Sequence, residues 1–160
     1  MESPLWSRRL VEWSIVAAVL IALIWGLEHQ VRVVQGQGER AAVRATLTSL
    51  RAGLVIDQLM AQARPRAAPS APRPQNPFAL MQAVPPNFAG ELAARNVSAV
   101  APGSWVFDPD CNCVGYRLLY PQWLEPAQVA DAIWFQIRAE GGQDRLAAQS
   151  DYFWLGQRLN

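Results

Sequence analysis

Lysine is missing altogether: all 14 basic residues of this 160-residue chain are arginine. The absence of lysine reads as the coding bias of GC-rich DNA, and the arginines are scattered along the whole chain. Set against 13 acidic residues they leave a net charge of +1. With no arginine cluster on one face, the electrostatic footprint of a nucleic-acid binder is missing. Soft metal ligands are equally scarce. Two cysteines and one histidine cannot furnish the four ligands of a structural zinc site. Catalytic patterns are missing as well. His29 is the sole histidine and is far in sequence from any nucleophile, and there is no glycine-rich phosphate loop and no His-Glu-x-x-His helix. Nor do two carboxylates fall where the sequence would place them on one surface. The expectation is a protein that is not an enzyme, with no cofactor, no small-molecule substrate and no nucleic-acid partner.

What the chain does have is one long apolar run, which inflates a hydrophobic content of 51%. Leu10 to Leu27 reads LVEWSIVAAVLIALIWGL, interrupted only by Glu12 and Ser14. A helix needs about 20 apolar residues, and at least about 17, to cross the hydrocarbon core, so the run suffices as a transmembrane helix. Trp13 and Trp25 stand near its ends, where amphipathic rings favour the headgroup level. A cleaved signal peptide would need a small-x-small exit, whereas this run ends Ile24-Trp25-Gly26-Leu27-Glu28. Arg8 and Arg9 on one side, against Arg32 and Arg40 on the other, lean towards a cytoplasmic N-terminus, with the bulk of the chain across the membrane. A carboxylate just inside an apolar segment is costly and calls for a partner. For Glu12 two simple solutions exist: snorkelling to the headgroups, or pairing with Arg8 one helical turn earlier.

Helical periodicity continues beyond the apolar run. Val43, Leu47, Leu50 and Leu54 are spaced 4, 3 and 4 and form one apolar stripe. One helix is expected from about Ser7 to Ala63, with a bend or melted point at Gly36 and Gly38, since each interior glycine costs about 1 kcal/mol relative to alanine. It must stop at Arg64-Pro65, where Pro65, Pro69, Pro72, Pro74 and Pro77 describe an extended linker. Beyond it, strand-forming residues flank turn residues. Ser104–Phe107, a turn over Asp108–Asn112, and Val114–Tyr120 predict a hairpin. Ala132–Arg138 is a strand closed by Gly141-Gly142, and Asp151–Leu155 is a last strand. Asn96–Val100 fits a short strand or a loop, and Arg145–Gln149 a strand or a helical turn. The fold class is therefore α+β: a long N-terminal helix packed on a small antiparallel sheet of three to four strands. The expected organisation is a short tail (1–9), a transmembrane helix (10–27), its amphipathic continuation (28–63), a Pro-rich linker (64–77) and a small periplasmic β-rich domain (78–160).

Cys111 and Cys113 flank one residue. On the oxidising side of a membrane they would form a local disulfide, bridge to another subunit, or stay reduced; the local bridge is favoured.

Leu10-Val11-Glu12, followed by an apolar run that becomes an amphipathic helix, resembles the start of type IV pilins and type II secretion pseudopilins. Pro102-Gly103-Ser104-Trp105-Val106-Phe107-Asp108 leading to Gly115-Tyr116-Arg117, with Asn76-Pro77-Phe78 and Pro85-Pro86-Asn87-Phe88, is similar to pilin-like proteins of mannose-sensitive haemagglutinin pilus biogenesis. The resemblance spans nearly the whole chain. It implies that Glu12 is the glutamate at the fifth mature position and Arg8 the first mature residue. The family's leader ends in glycine ahead of an apolar residue; here Ser7 precedes Arg8, which suits a minor or non-polymerising member, with Arg8 or Arg9 replacing the family's free amine as partner of Glu12. The implied partners are other pilins or pseudopilins and inner-membrane assembly proteins, and the implied location is the bacterial inner membrane, with incorporation in a pilus. The alternative is a single-pass periplasmic adaptor that never polymerises. Some pseudopilins bind calcium, which keeps Asp108, Asp110 and Asn112 as a weak candidate, although an EF-hand would place glycine at position 113 and glutamate at 119, where this chain has Cys113 and Leu119. A partner surface is expected on the face carrying Trp105 and Tyr116.

Overall fold

Nothing in the first 63 residues forbids a helix: no proline follows Pro4 before Pro65, and the composition is rich in Ala, Leu, Val and Arg. In the computed structural model, which describes residues 5–63, 76–125 and 131–159, a single helix α1 runs Leu5–Ala63, 59 residues long. The expected flaw at Gly36 and Gly38 is not there, and helix continues through both. Helical residues on either side carry the propensity cost of the two glycines without a break. Of the expected linker 64–77, residues 64–75 lie outside the described residues, whereas Pro77 is not linker but the buried first residue of a 3-10 turn, Pro77–Leu80.

The chain divides into two compact units, Met1–Gly38 and Glu39–Asn160. The first is the apolar part of α1. The second contains the rest of the helix and, among the described residues, eight strands: β1 (Phe88–Glu91), β2 (Trp105–Asp108), β3 (Cys113–Arg117), β4 (Leu124–Glu125), β5 (Ala132–Glu140), β6 (Gln143–Ala148), β7 (Phe153–Trp154) and β8 (Gln157–Arg158). They form a five-stranded sheet in the order β1-β2-β3-β5-β6 and a three-stranded sheet in the order β4-β7-β8. The architecture is α+β as the sequence implies, with more strands than the expected three to four. The extra ones are short or at edges, where a brief alternation carries little signal.

The β2–β3 hairpin has the register Trp105↔Tyr116 to Asp108↔Cys113. The β5–β6 hairpin pairs Glu140 with Gln143 across Gly141 and Gly142, whose φ of 61° and 80° give the two-residue turn that suits strand twist. Arg145–Gln149, open between strand and helix in sequence, is mostly strand within β6. β1 pairs with β2 in parallel, so the chain must cross over between them, and residues 92–104 do so. Within that crossover Asn96–Val100 is no strand: Val97–Ala99 is a 3-10 turn. Val97 and Val100, three apart, both pack on the sheet, a spacing that a strand would send to opposite faces.

Alternation along the strands sorts side chains to two faces. Trp105, Phe107, Val114, Tyr116, Ile133 and Phe135 meet the helix stripe Val43, Leu47, Leu50 and Leu54, all buried in one cluster with Phe78. Phe78 stacks on Phe88 at 4.1 Å and tilts against Trp105 at 6.2 Å, and Trp105 lies 4.8 Å from Tyr116, so aromatic rings pave this face. Trp105 and Tyr116 are therefore core residues, 1% and 4% exposed, and not the outward surface expected for a partner. The opposite face is covered as well: Val106, Cys113, Ala132 and Trp134 are buried beneath Leu92, Val97 and Val100. There the Trp134 ring occupies the space over Gly115, where an added Cβ would sit 2.6, 2.7 and 2.9 Å from three ring atoms.

Gly115→Ala is thus expected to lower the thermal stability of the detergent-solubilised protein by about 1–3 kcal/mol through overpacking. Gly38→Ala, whose Cβ meets nothing within 4 Å, should instead raise it by about 0.5–1 kcal/mol. Circular-dichroism melts of the two variants check both signs.

Candidate functional site

Three places carry the residues that the sequence singles out: the apolar part of α1, the start of its docked part, and the β2–β3 turn.

In the apolar part, Leu10, Trp13, Leu20, Ile24 and Trp25 are 60%, 72%, 54%, 62% and 76% exposed. A run of bare apolar side chains on this scale does not persist in water. Among the described residues one helix is long and apolar enough to cross a membrane, consistent with a single-pass anchor. Glu12 and Arg9 are both exposed on this helix, and the side chain of Arg8 lies outside the described residues. Ser14 Oγ donates to the Val11 carbonyl at 2.8 Å, which satisfies its hydroxyl within the helix. At the end of the run Trp25, Glu28, His29 and Arg32 share a shallow concavity, in which Arg32 pairs with Glu28 one turn earlier.

Glu39 opens the docked part, and the sequence reading missed it. It stands four residues before Val43, so it occupies the apolar stripe itself, and a carboxylate in a stripe position was the available signal. It is 8% exposed. Its Oε1 accepts from Tyr116 Oη at 3.1 Å and from the Leu119 N–H at 2.6 Å, and Oε2 accepts from the Tyr120 N–H at 3.1 Å. The segment leaving β3 turns away from the ladder here, so its amides need another acceptor, and the carboxylate supplies it. Burial raises the Glu39 pKa from its ordinary 4.5, while the three donors pull it partly back. Burial, then the Glu39 charge, push the Tyr116 hydroxyl well above its usual range, so it stays a donor. Elsewhere along the docked helix, Arg44 donates to the Arg158 carbonyl at 2.9 Å and Gln58 to the Gly142 carbonyl at 2.6 Å.

At the β2–β3 turn Cys111 and Cys113 are joined by a local disulfide, the favoured of the three alternatives. The calcium candidate fares differently. Asp108 is 1% exposed. Its Oδ2 accepts from the Arg95 N–H at 3.0 Å and its Oδ1 from the Asp110 N–H at 2.9 Å, so both oxygens serve the backbone. Asp110 and Asn112 are exposed. Asn112 takes the left-handed conformation at φ 52°, and its carbonyl accepts from the Ile137 N–H at 3.1 Å. This is Asx turn chemistry, and among the described residues no group of three or more His, Cys, Asp or Glu side chains assembles to hold a metal. Comparison with protein-family models, curated proteins and solved structures returns no match.

Glu39→Ala should cost about 2–4 kcal/mol, since two backbone amides lose their acceptor, and Tyr116→Phe about 1 kcal/mol. The pH dependence has a definite sign. A folded-state pKa above the unfolded value means that this group's contribution is complete at pH below about 4.5 and is lost as pH rises through the folded pKa. Tyr116→Phe removes a donor to the carboxylate and moves that loss to higher pH. Stability measured against pH for both variants checks this.

Proposed function

We propose that the chain is a pilin-like structural or assembly component of a type IV pilus or the related type II secretion pseudopilus, of the kind that serves mannose-sensitive haemagglutinin pilus biogenesis. The observation that carries this reading is α1: one unbroken 59-residue helix whose first stretch is bare and apolar and whose second stretch is buried by a sheet of its own chain. A soluble enzyme has no use for such a helix. A subunit stored in a bilayer and later packed among other apolar helices has two. In this reading the helix sits in the bacterial inner membrane with its N-terminus cytoplasmic, and the Glu39–Asn160 unit is periplasmic. Other pilins or pseudopilins and inner-membrane assembly proteins are the partners, and there is no catalysis. Glu12 is the polar contact between helices, with Arg8 or Arg9, of the same chain or the next, as its counter-charge.

Ser7-Arg8, where the resembled family has glycine ahead of an apolar residue, favours a second reading: a single-pass adaptor of the same machinery that never polymerises. Crosslinking to other pilins within isolated filaments separates the two, because an adaptor stays behind in the membrane fraction.

Glu12→Ala should reduce pilus number or block incorporation, while the protein stays folded and resists alkaline extraction from membranes. Normal piliation in that variant would remove the pilin-like reading, and recovery of the unaltered protein as a freely soluble species would remove both.

A further inference from the structure

The crossover between β1 and β2 holds two consecutive non-glycine residues in the left-handed conformation, Ala94 at φ 58° and Arg95 at φ 54°. Such backbone costs free energy and persists only where its surroundings enforce it. The surroundings here are specific. The Arg95 N–H is held by Asp108 Oδ2 at 3.0 Å. The Arg95 guanidinium lies 5.4 Å above the Trp134 ring, and Arg95 Nη2 is 3.6 Å from Cys113 Sγ. From just after β6, Gln149 Nε2 approaches the same sulfur at 3.0 Å. Two N–H donors from separate parts of the chain therefore converge on one sulfur of the Cys111–Cys113 bridge. The acidic neighbour on this turn, Asp108, is already committed to backbone amides, and Asp110 is exposed.

As a staple this bridge does little. It closes across one residue, where the entropy removed from the unfolded chain is smallest. The β2–β3 ladder already pairs Asp108 with Cys113, so the loop is shut without it. The two residues also differ: Cys113 is fully buried, whereas Cys111 is only partly buried.

We infer that Cys111–Cys113 is a thiol–disulfide exchange site, with Cys111 the sulfur attacked and Cys113 the leaving sulfur, and with Arg95 and Gln149 as positioning residues that stabilise the departing thiolate. The co-reactant is a thiol, of which a dithiol completes the reaction. Its first thiolate bonds to Cys111 Sγ as the Sγ–Sγ bond breaks, and that electron pair goes to Cys113 Sγ. Its second thiolate then attacks its own sulfur in the mixed disulfide and releases Cys111. The dithiol is oxidised to a disulfide, the bridge is reduced to two thiols, and the two protons pass from the dithiol to the cysteines. Run backwards, the same steps oxidise Cys111 and Cys113. Leaving-group stabilisation favours the reduced form and speeds its release. This inference stands independently of the pilin-like reading, since it uses only the β2–β3 turn and its neighbours.

The test takes the full-length protein in detergent through glutathione and dithiothreitol redox buffers, counting thiols by alkylation and mass spectrometry. The expected result is reversible reduction to two thiols with the circular-dichroism spectrum unchanged. Gln149→Leu and Arg95→Met should each shift the equilibrium towards the disulfide by roughly 3–10-fold, as loss of thiolate stabilisation requires, and should move alkylation of the reduced protein to higher pH. Cys113→Ser should trap a glutathione adduct on Cys111, while Cys111→Ser should resist one. Reduction by dithiothreitol without a glutathione adduct also supports the site and points to a dithiol partner. Free thiols in air-oxidised protein overturn it. So does reduction that occurs only on unfolding, or an equilibrium and pH profile that Gln149→Leu leaves untouched, a side chain whose half-buried place spares the fold if Arg95→Met does not.

Discussion

Four aliphatic side chains on one side of a helix, Val43, Leu47, Leu50 and Leu54, lie against the aromatic face of a sheet formed later in the chain, and most of the second unit depends on that contact. Burying each is worth about 1.5–3 kcal/mol relative to exposure, which is large beside the few kcal/mol by which a small domain is stable. Neither partner is self-sufficient. The helix stripe would be bare without the sheet, and the rings of Trp105, Phe107, Tyr116 and Phe135 would be bare without the helix. Glu39 adds direction to this otherwise non-directional contact. By accepting from Tyr116, Leu119 and Tyr120, it fixes where along the sheet the helix begins to dock, because displacement along the axis would strand a buried carboxylate.

The same sheet has a second buried face, and this shapes the rest of the unit. Covering it requires the crossover 92–104, which brings a parallel β1 to the edge of β2 and sets Arg95 over Trp134. Gly115 is the cost of admitting a tryptophan ring to that face. The disulfide turn sits at the rim of this layer, so the proposed exchange chemistry and the strained Ala94–Arg95 backbone belong to one local design. The apolar part of α1 is long and apolar enough to cross a membrane. Its exposed side chains are compatible with a bilayer and with neighbouring helices, and no part of the Glu39–Asn160 unit is needed to explain them.

Much of this was legible in the residues. The apolar run, the stripe with its 4, 3, 4 spacing, the hairpin around Asp108–Asn112 and the Gly141-Gly142 turn all appear at their expected places. What went astray has physical causes. Gly36 and Gly38 were weighed by intrinsic propensity, which a long helix with strong flanks overrides. In sequence Asn96–Val100 is open between strand and loop, and the loop holds, because Val97 and Val100 pack from one turn against the cluster of Val106, Cys113, Ala132 and Trp134. Trp105 and Tyr116 alternate correctly, yet alternation does not say which face is covered, and here both are. At Asp108, Asp110 and Asn112 the residue types already favour an Asx turn over a cation loop, and the hydrogen bonds of Asp108 agree with that turn.

By itself, then, the sequence determined the features that depend on near neighbours: a helix able to cross a membrane, its amphipathic sequel, the hairpins, and the α+β class that follows. These rest on side chains three or four apart on a helix or two apart on a strand, and such periodicities are written into any short window. Only the tertiary structure decided the role of Glu39, the parallel β1, the crossover on the far face, and the meeting of Arg95 and Gln149 at Cys113. Each joins groups separated by long stretches of chain, and their proximity comes from how two layers close around a shared core, which no local pattern contains.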